Sequence, residues 1–127
     1  MIAVDTSSWI AYLAGDAGDD VTLVDRALRD ELAVMPPVVL CELFSDPKLS
    51  VHLKAHFDRF PLLDTRPGYW RRAGLLRAEV IRRERRARLA DTLIAQSCID
   101  HGVTLITRDS DFRWFARWGE LMVMGQV

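Results

Sequence analysis

Ile2-Ala3-Val4-Asp5-Thr6-Ser7-Ser8-Trp9 carries three signals in succession. A short apolar run reads as a buried strand. Asp5 closes it. The hydroxyls of Thr6, Ser7 and Ser8 offer caps to a helix from Trp9 to Ala14, which ends near Gly15. The order recurs late in the chain, where Val103 to Ile106 is again a buried-strand run and Thr107-Arg108-Asp109 follows it.

Between these two strands the pattern alternates. Asp19 or Asp20 caps a second helix running to about Glu31, with Val21, Val24, Ala27 and Leu28 at helical spacing. Ala33 to Met35 is a very short strand. Pro36-Pro37 then opens a helix from Val38 to Phe44, since proline suits a first helical turn. Asp46-Pro47 breaks the chain, and Leu49, Leu53, His56, Phe57 and Phe60 form a helical stripe before Pro61. Leu62-Leu63 is a further strand candidate. Pro67-Gly68 opens a long helix whose inner face takes Trp70, Ala73, Leu76 or Arg77, and Val80. Leu89 to His101 is another helix, stopped by Gly102. Ser110 to Trp118 is a short aromatic helix, and Leu121 to Met124 a final strand. Short apolar strands alternating with helices predict an α/β fold. The expectation is one domain over residues 1–127, with a mostly parallel sheet of about five short strands and helices on both faces.

Composition agrees with that class. Of 127 residues, 50% are hydrophobic and 28% charged, enough apolar material for a core and too much for a disordered chain. The most apolar stretch, Leu32 to Cys41, contains two prolines and falls short of the ~20 residues a membrane span needs. No basic region precedes the apolar start, and Asp5 interrupts it, so no secretory signal is expected. Cys41 and Cys98 sit in apolar runs and read as reduced core thiols of a cytoplasmic protein. The net charge of −1 hides an asymmetry. Ala14 to Glu31 holds six acids against two arginines, whereas Arg66 to Arg88 holds nine arginines and two acids, Glu79 and Glu84. A solvated helix face is the simpler account of that basic segment, and a polyanionic partner the other.

Asp5 and Asp109 each stand just past a strand. In an open parallel sheet, ligands bind beyond the carboxyl ends of the strands. If the two strands are neighbours, both acids converge on one edge; otherwise each caps the helix after it. Glu42 lies in a helix that is apolar nearly all round and should be buried. A buried carboxylate needs a cation, an arginine or a proton. Asp91 shares a helix face with Ile94, Ala95 and Cys98, which is the core face. An N-cap is its alternative role. Asp111 is a weaker member, two residues beyond Asp109. Several acids on one edge repel one another unless a divalent cation sits among them. An all-oxygen set suits Mg²⁺ or Mn²⁺. Such an ion acidifies water and neutralises phosphoryl charge, the chemistry of phosphodiester hydrolysis.

These residues carry a resemblance. Ile2-Ala3-Val4-Asp5-Thr6-Ser7, Val38-Val39-Leu40-Cys41-Glu42-Leu43, Leu89-Ala90-Asp91-Thr92-Leu93-Ile94-Ala95 and Leu105-Ile106-Thr107-Arg108-Asp109-Ser110-Asp111-Phe112 occur in the order and spacing of the PIN-domain nucleases. The chain resembles that family, and within it the small bacterial VapC-type toxins, along essentially its whole length. The resemblance implies Mg²⁺-dependent cleavage of RNA, with 5′-phosphate and 3′-hydroxyl products. It implies that Asp5, Glu42, Asp91 and Asp109 are the acidic cluster and that Asp5 and Asp91 are the first metal ligands. Asp109 and the accessory Asp111 complete the ligand set. Thr6, Ser7 and Thr107 match supporting hydroxyl positions. Proteins of this kind are usually encoded with a small inhibitory antitoxin and commonly form homodimers. Many relatives place a glycine-containing turn before the third acid; here Arg82 to Arg88 contains none.

Arg85, Arg86, Arg88 and Arg108 are the candidates for guiding RNA, with solvent exposure or an antitoxin contact as the other readings. His52 and His56, four apart, read as solvated helix residues, because Leu53 stands where a zinc-protease helix carries Glu. Trp114 and Trp118, also four apart, suit core or dimer packing before base stacking. A non-catalytic nucleic-acid- or protein-binding module of the same fold is the alternative function. Aspartyl-phosphate chemistry does not fit, since Ser7 stands where a second Asp is needed and both lysines, Lys48 and Lys54, lie mid-chain.

Overall fold

The structure, a computed structural model, describes residues 1–125; the last two residues of the expected domain lie outside them. Four parallel strands stand in the order β2-β1-β3-β4, with β1 at Ile2–Val4, β2 at Ala33–Val34, β3 at Thr104–Ile106 and β4 at Val123–Met124. The expected strand at Leu62-Leu63 is reduced to a single bridge between Met35 and Leu62. Pro61 precedes it and Leu62 is 54% exposed, so nothing covers a longer strand there.

The two central strands are buried on both faces. Ala3, Val4, Leu105 and Ile106 are each fully buried, and successive strand residues point to opposite sides. Helices therefore cover both surfaces of the sheet, as an all-parallel sheet requires. They are α1 Thr6–Leu13, α2 Asp19–Arg29, α3 Pro37–Phe44, α4 Val51–Phe57, α5 Tyr69–Arg82, α6 Leu89–His101 and α7 Arg113–Trp118, the last preceded by a 3₁₀ turn at Ser110–Phe112. Among the described residues, none is long and apolar enough to cross a membrane.

Three side-chain assignments differ from expectation. Helix α3 is not buried all round: Val39 and Leu43 face the core, while Phe44 is 37% exposed and Cys41 is exposed. Cys41 is two residues from both buried positions and so lies on the opposite side of the helix. Only Cys98 is a core thiol, and burial pushes it up to about 12. In α5 the inner stripe is Tyr69, Ala73, Leu76 and Val80, whereas Trp70 is 67% exposed. Tyr69 wins that position because its hydroxyl donates to the Leu93 carbonyl of α6 at 2.6 Å. Arg72 ties the same helices together by a two-pronged contact to Asp100.

The glycine-free turn before Asp91 has its own solution. Glu84 takes a left-handed conformation, φ 59°, where the chain leaves α5. Such a position costs an L side chain ~1 kcal/mol and costs glycine little. Glu84→Gly should therefore stabilise the fold by about 0.5–1 kcal/mol in a urea titration.

Candidate active site

The register of the sheet makes the site. Val4 pairs with Ile106. Asp5 and Thr107, the next residues of each strand, thus emerge at the same level of the carboxyl edge. The Asp5 amide donates to the Ile106 carbonyl at 2.8 Å. The Thr107 hydroxyl donates to Asp5 Oδ2 at 3.0 Å, and the Ser7 hydroxyl to the same oxygen at 2.7 Å. Asp5 precedes α1 at the capping position, yet its carboxylate makes no side-chain cap. It is 4% exposed, and burial raises its pKa above the ordinary value. The two hydroxyls oppose that rise, and the charge of Glu42 adds to it.

Thr107 also fixes the next acid. Its hydroxyl accepts from the Asp109 amide at 3.0 Å. Asp109 Oδ1 in turn accepts from the Asp111 amide at 2.9 Å and so caps the 3₁₀ turn. Glu42 comes from α3, which is half-exposed here rather than enclosed. The Thr6 hydroxyl donates to Glu42 Oε1 at 2.7 Å. The three hydroxyls singled out in the sequence are thus all engaged with the acids or their backbone.

Asp91 is the least satisfied of the group. Arg88, not Asp91, is the N-cap of α6. Asp91 sits in the first turn, where the helix dipole favours a negative charge. Even so, Asp91 Oδ2 is buried and has no hydrogen-bond partner. Burial, together with the negative charges of Asp5, Asp109 and Glu42, raises its pKa to about 7, and Arg88 only partly offsets them. Those couplings place four carboxylates, from four separate elements, within electrostatic reach of one another. Asp111 is not among the leading charges that act on Asp91. Its carboxylate lies on the rim, 4.0 Å from Arg86.

Of the four arginines, Arg88 borders the carboxylates and Arg86 faces Asp111. Arg108 does not turn toward them. Its guanidinium donates to both oxygens of Asp20, at 2.9 and 3.1 Å, and to the Ala17 carbonyl. Asp20 is 2% exposed and also accepts from the Ser8 hydroxyl at 2.8 Å. Arg108 thus anchors the loop between Thr107 and Asp109 to α2. Asp20 was legible only as a helix cap, because a contact across 88 residues has no local signal. Asp20→Ala removes the shared acceptor of Arg108 and of the buried Ser8 hydroxyl, and should lower the midpoint of chemical denaturation.

An electrostatic deficit of this sort fits a divalent cation. The donors are all oxygen, their charges repel, and one buried oxygen lacks any partner. Among the described residues no three acidic, histidine or cysteine side chains close into a ready-made chelating cage. Mg²⁺, which keeps several of its waters, needs fewer direct protein ligands than such a cage supplies.

Residues 2–117 match the PIN-domain family. The chain belongs to this family. Ribonuclease VapC11 of Mycobacterium tuberculosis is 30% identical over 125 residues, which covers 92% of each protein. VapC ribonuclease Mb1587 of Mycobacterium bovis matches to the same extent. Among solved structures, VapBC2 from Rickettsia felis bound to a promoter DNA fragment superposes with a TM-score of 0.74 and 21% identity, over 100% of this chain and 99% of that one. DNA-bound VapBC from Salmonella typhimurium gives 0.73 and 19%, over 98% of each. These superpositions establish a shared fold, and the VapC relatives place this PIN domain among the VapC-type proteins.

Proposed function

We propose that this PIN domain, spanning residues 1–127, is a Mg²⁺-dependent endoribonuclease and the toxin of a VapBC-type toxin–antitoxin module in the cytoplasm. The observation that carries the proposal is the convergence of Asp5, Glu42, Asp91 and Asp109 around a buried carboxylate oxygen with no partner. The names of the VapC relatives support RNA as the substrate. The VapBC complexes support a small antitoxin as the partner, and family resemblance supports a homodimer.

Asp5 and Asp91 would hold the ion, with Asp109 completing the set and Asp111 at its rim. Mn²⁺ would substitute. The bound ion supplies charge neutralisation at phosphoryl oxygens and acidifies water. The chain's own residues do the rest. Ser7 and Thr107 hold Asp5 in one orientation through a shared oxygen. Thr6 occupies Glu42 Oε1, which leaves Oε2 as the atom to take the proton of the attacking water. Arg88, beside Asp91, is placed to meet the phosphate of the substrate.

The test is cleavage of a broad RNA set by the purified chain, freed of any co-purifying partner. Cutting in Mg²⁺ or Mn²⁺ that disappears in EDTA, and in Asp5→Ala and Asp91→Ala proteins, is the expected result. An active Asp91→Ala protein would overturn the assignment.

A further inference from the structure

One flank of the carboxylate site is built from arginine and tryptophan. Trp114 and Trp118 of α7 stack on each other, with centroids 5.4 Å apart and 14° between the planes. Four guanidinium groups lie over this pair. Arg113 and Arg85 stand 4.3 and 4.8 Å from the Trp114 ring. Arg83 and Arg117 stand 4.8 and 5.4 Å from that of Trp118. All four arginines are exposed, and both indoles are half-buried. Arg83 is paired with Glu79. Arg85, Arg113 and Arg117 belong to no ion pair among the described residues.

This arrangement does not present the indoles to a base. Each ring is stacked on the other and also carries arginine. What it offers outward is guanidinium N–H. A guanidinium within cation–π distance of an indole is attracted to the ring and still has N–H groups for oxygen acceptors. Gathering cations on one pair of rings costs repulsion, and among the described residues no carboxylate lies within ion-pair distance of Arg85, Arg113 or Arg117. A polyanion would relieve it. The cluster is also continuous with the site: α7 follows directly on the turn that bears Asp111, and Arg86, the neighbour of Arg85, reaches Asp111.

We infer that Arg85, Arg113 and Arg117, held on Trp114 and Trp118, bind the phosphodiester backbone of the single-stranded RNA flanking the scissile bond. The identity of that bond rests on the nuclease reading above; the binding surface is tested apart from it.

The experiment measures binding of labelled single-stranded RNA to the Asp91→Asn chain in EDTA, so that turnover plays no part. RNAs of about 16 and about 4 nucleotides are compared. The Arg85→Gln/Arg113→Gln/Arg117→Gln variant should bind the long RNA roughly 10–100-fold more weakly. Its slope of log affinity against log salt should shrink by about 2, since each lost phosphate contact removes about 0.7. The short RNA, which spans fewer of these arginines at once, should lose less. The corresponding Arg→Lys triple variant should keep the salt slope. If the triple variant melts below the parent, Arg117→Gln alone carries the test, with a slope change of about 0.7. Unchanged affinity for the long RNA, or equal loss for the short one, would overturn the inference. So would tight binding of poly-glutamate that the triple substitution abolishes while RNA binding persists, since the surface then serves an acidic protein. Failure to cut RNA in Mg²⁺ would tell against the nuclease and leave this binding result standing.

Discussion

Replacing Asp91 by asparagine is expected to abolish RNA cleavage while raising the melting temperature of the cation-free chain. The two effects share one cause. The Asp91 carboxyl is pushed up to about 7 by burial and by three neighbouring carboxylates. In the unfolded chain it titrates near its ordinary value of 3.8. The folded state therefore binds the proton more tightly. Stability contributed by the protonated form is intact below pH ~4 and drains away as pH rises toward ~7. Above that, the ionised carboxylate is a net penalty. Undiscounted, the difference corresponds to ~4 kcal/mol. Asp91 is only half-buried, so solvent screening reduces it to ~1–2 kcal/mol. Asparagine has nearly the same shape and no charge to desolvate. At pH 8 without divalent cation, Asp91→Asn should gain roughly 5 °C by calorimetry. The same change removes a proposed cation ligand and should cost at least ~10³-fold in cleavage rate. A destabilised Asp91→Asn protein would mean that the carboxylate is a structural support and not a strained ligand.

The second large effect concerns the cation and pH. Binding an ion at Asp91 requires the carboxylate form. Below the pKa near 7, each ion bound must displace a proton. Mg²⁺ affinity should hence fall about tenfold per pH unit below ~7 and level off above ~8. Asp5, also raised by burial, steepens the fall at the acid end. Calorimetric titration in buffers of different ionisation enthalpy would count the released protons. About one proton per ion at pH 6 is expected, and nearly none at pH 8.5. A pH-independent affinity would separate the ion from Asp91.

Features with a local signature are legible in the sequence alone. Strand-then-acid at Val4-Asp5 and at Ile106-Thr107-Arg108-Asp109 predicts one sheet edge if the two strands are neighbours, and the parallel pairing of β1 with β3 makes them so. Helical spacing places Asp91 on the same side as Ile94, Ala95 and Cys98, all fully buried. Periodicity was weaker at Tyr69-Trp70. Two adjacent aromatics leave the phase of a helix open by one residue, and the hydrogen bond from Tyr69 to α6 decides it. Arg108 shows a further limit. Composition marks it as one basic residue near an acidic site, but its partner Asp20 lies in another part of the chain, and only the fold brings them together. Trp114 and Trp118 pair at helical spacing, yet the arginines laid over them include Arg83 and Arg85 from the turn after α5. No sequence window contains that arrangement.

The proposed chemistry requires the carboxylates to act as one cation site. The direct measurement is the titration of the ¹³C-labelled Asp91 carboxyl by NMR, with and without Mg²⁺. Burial and the neighbouring carboxylates push it up to about 7 without the ion, and that is the expected reading. Saturating Mg²⁺ should drive it down by several units, with Asp5 and Asp109 resonances shifting alongside. An ordinary pKa near 4 that Mg²⁺ leaves in place would contradict the cation site and, with it, the assigned chemistry.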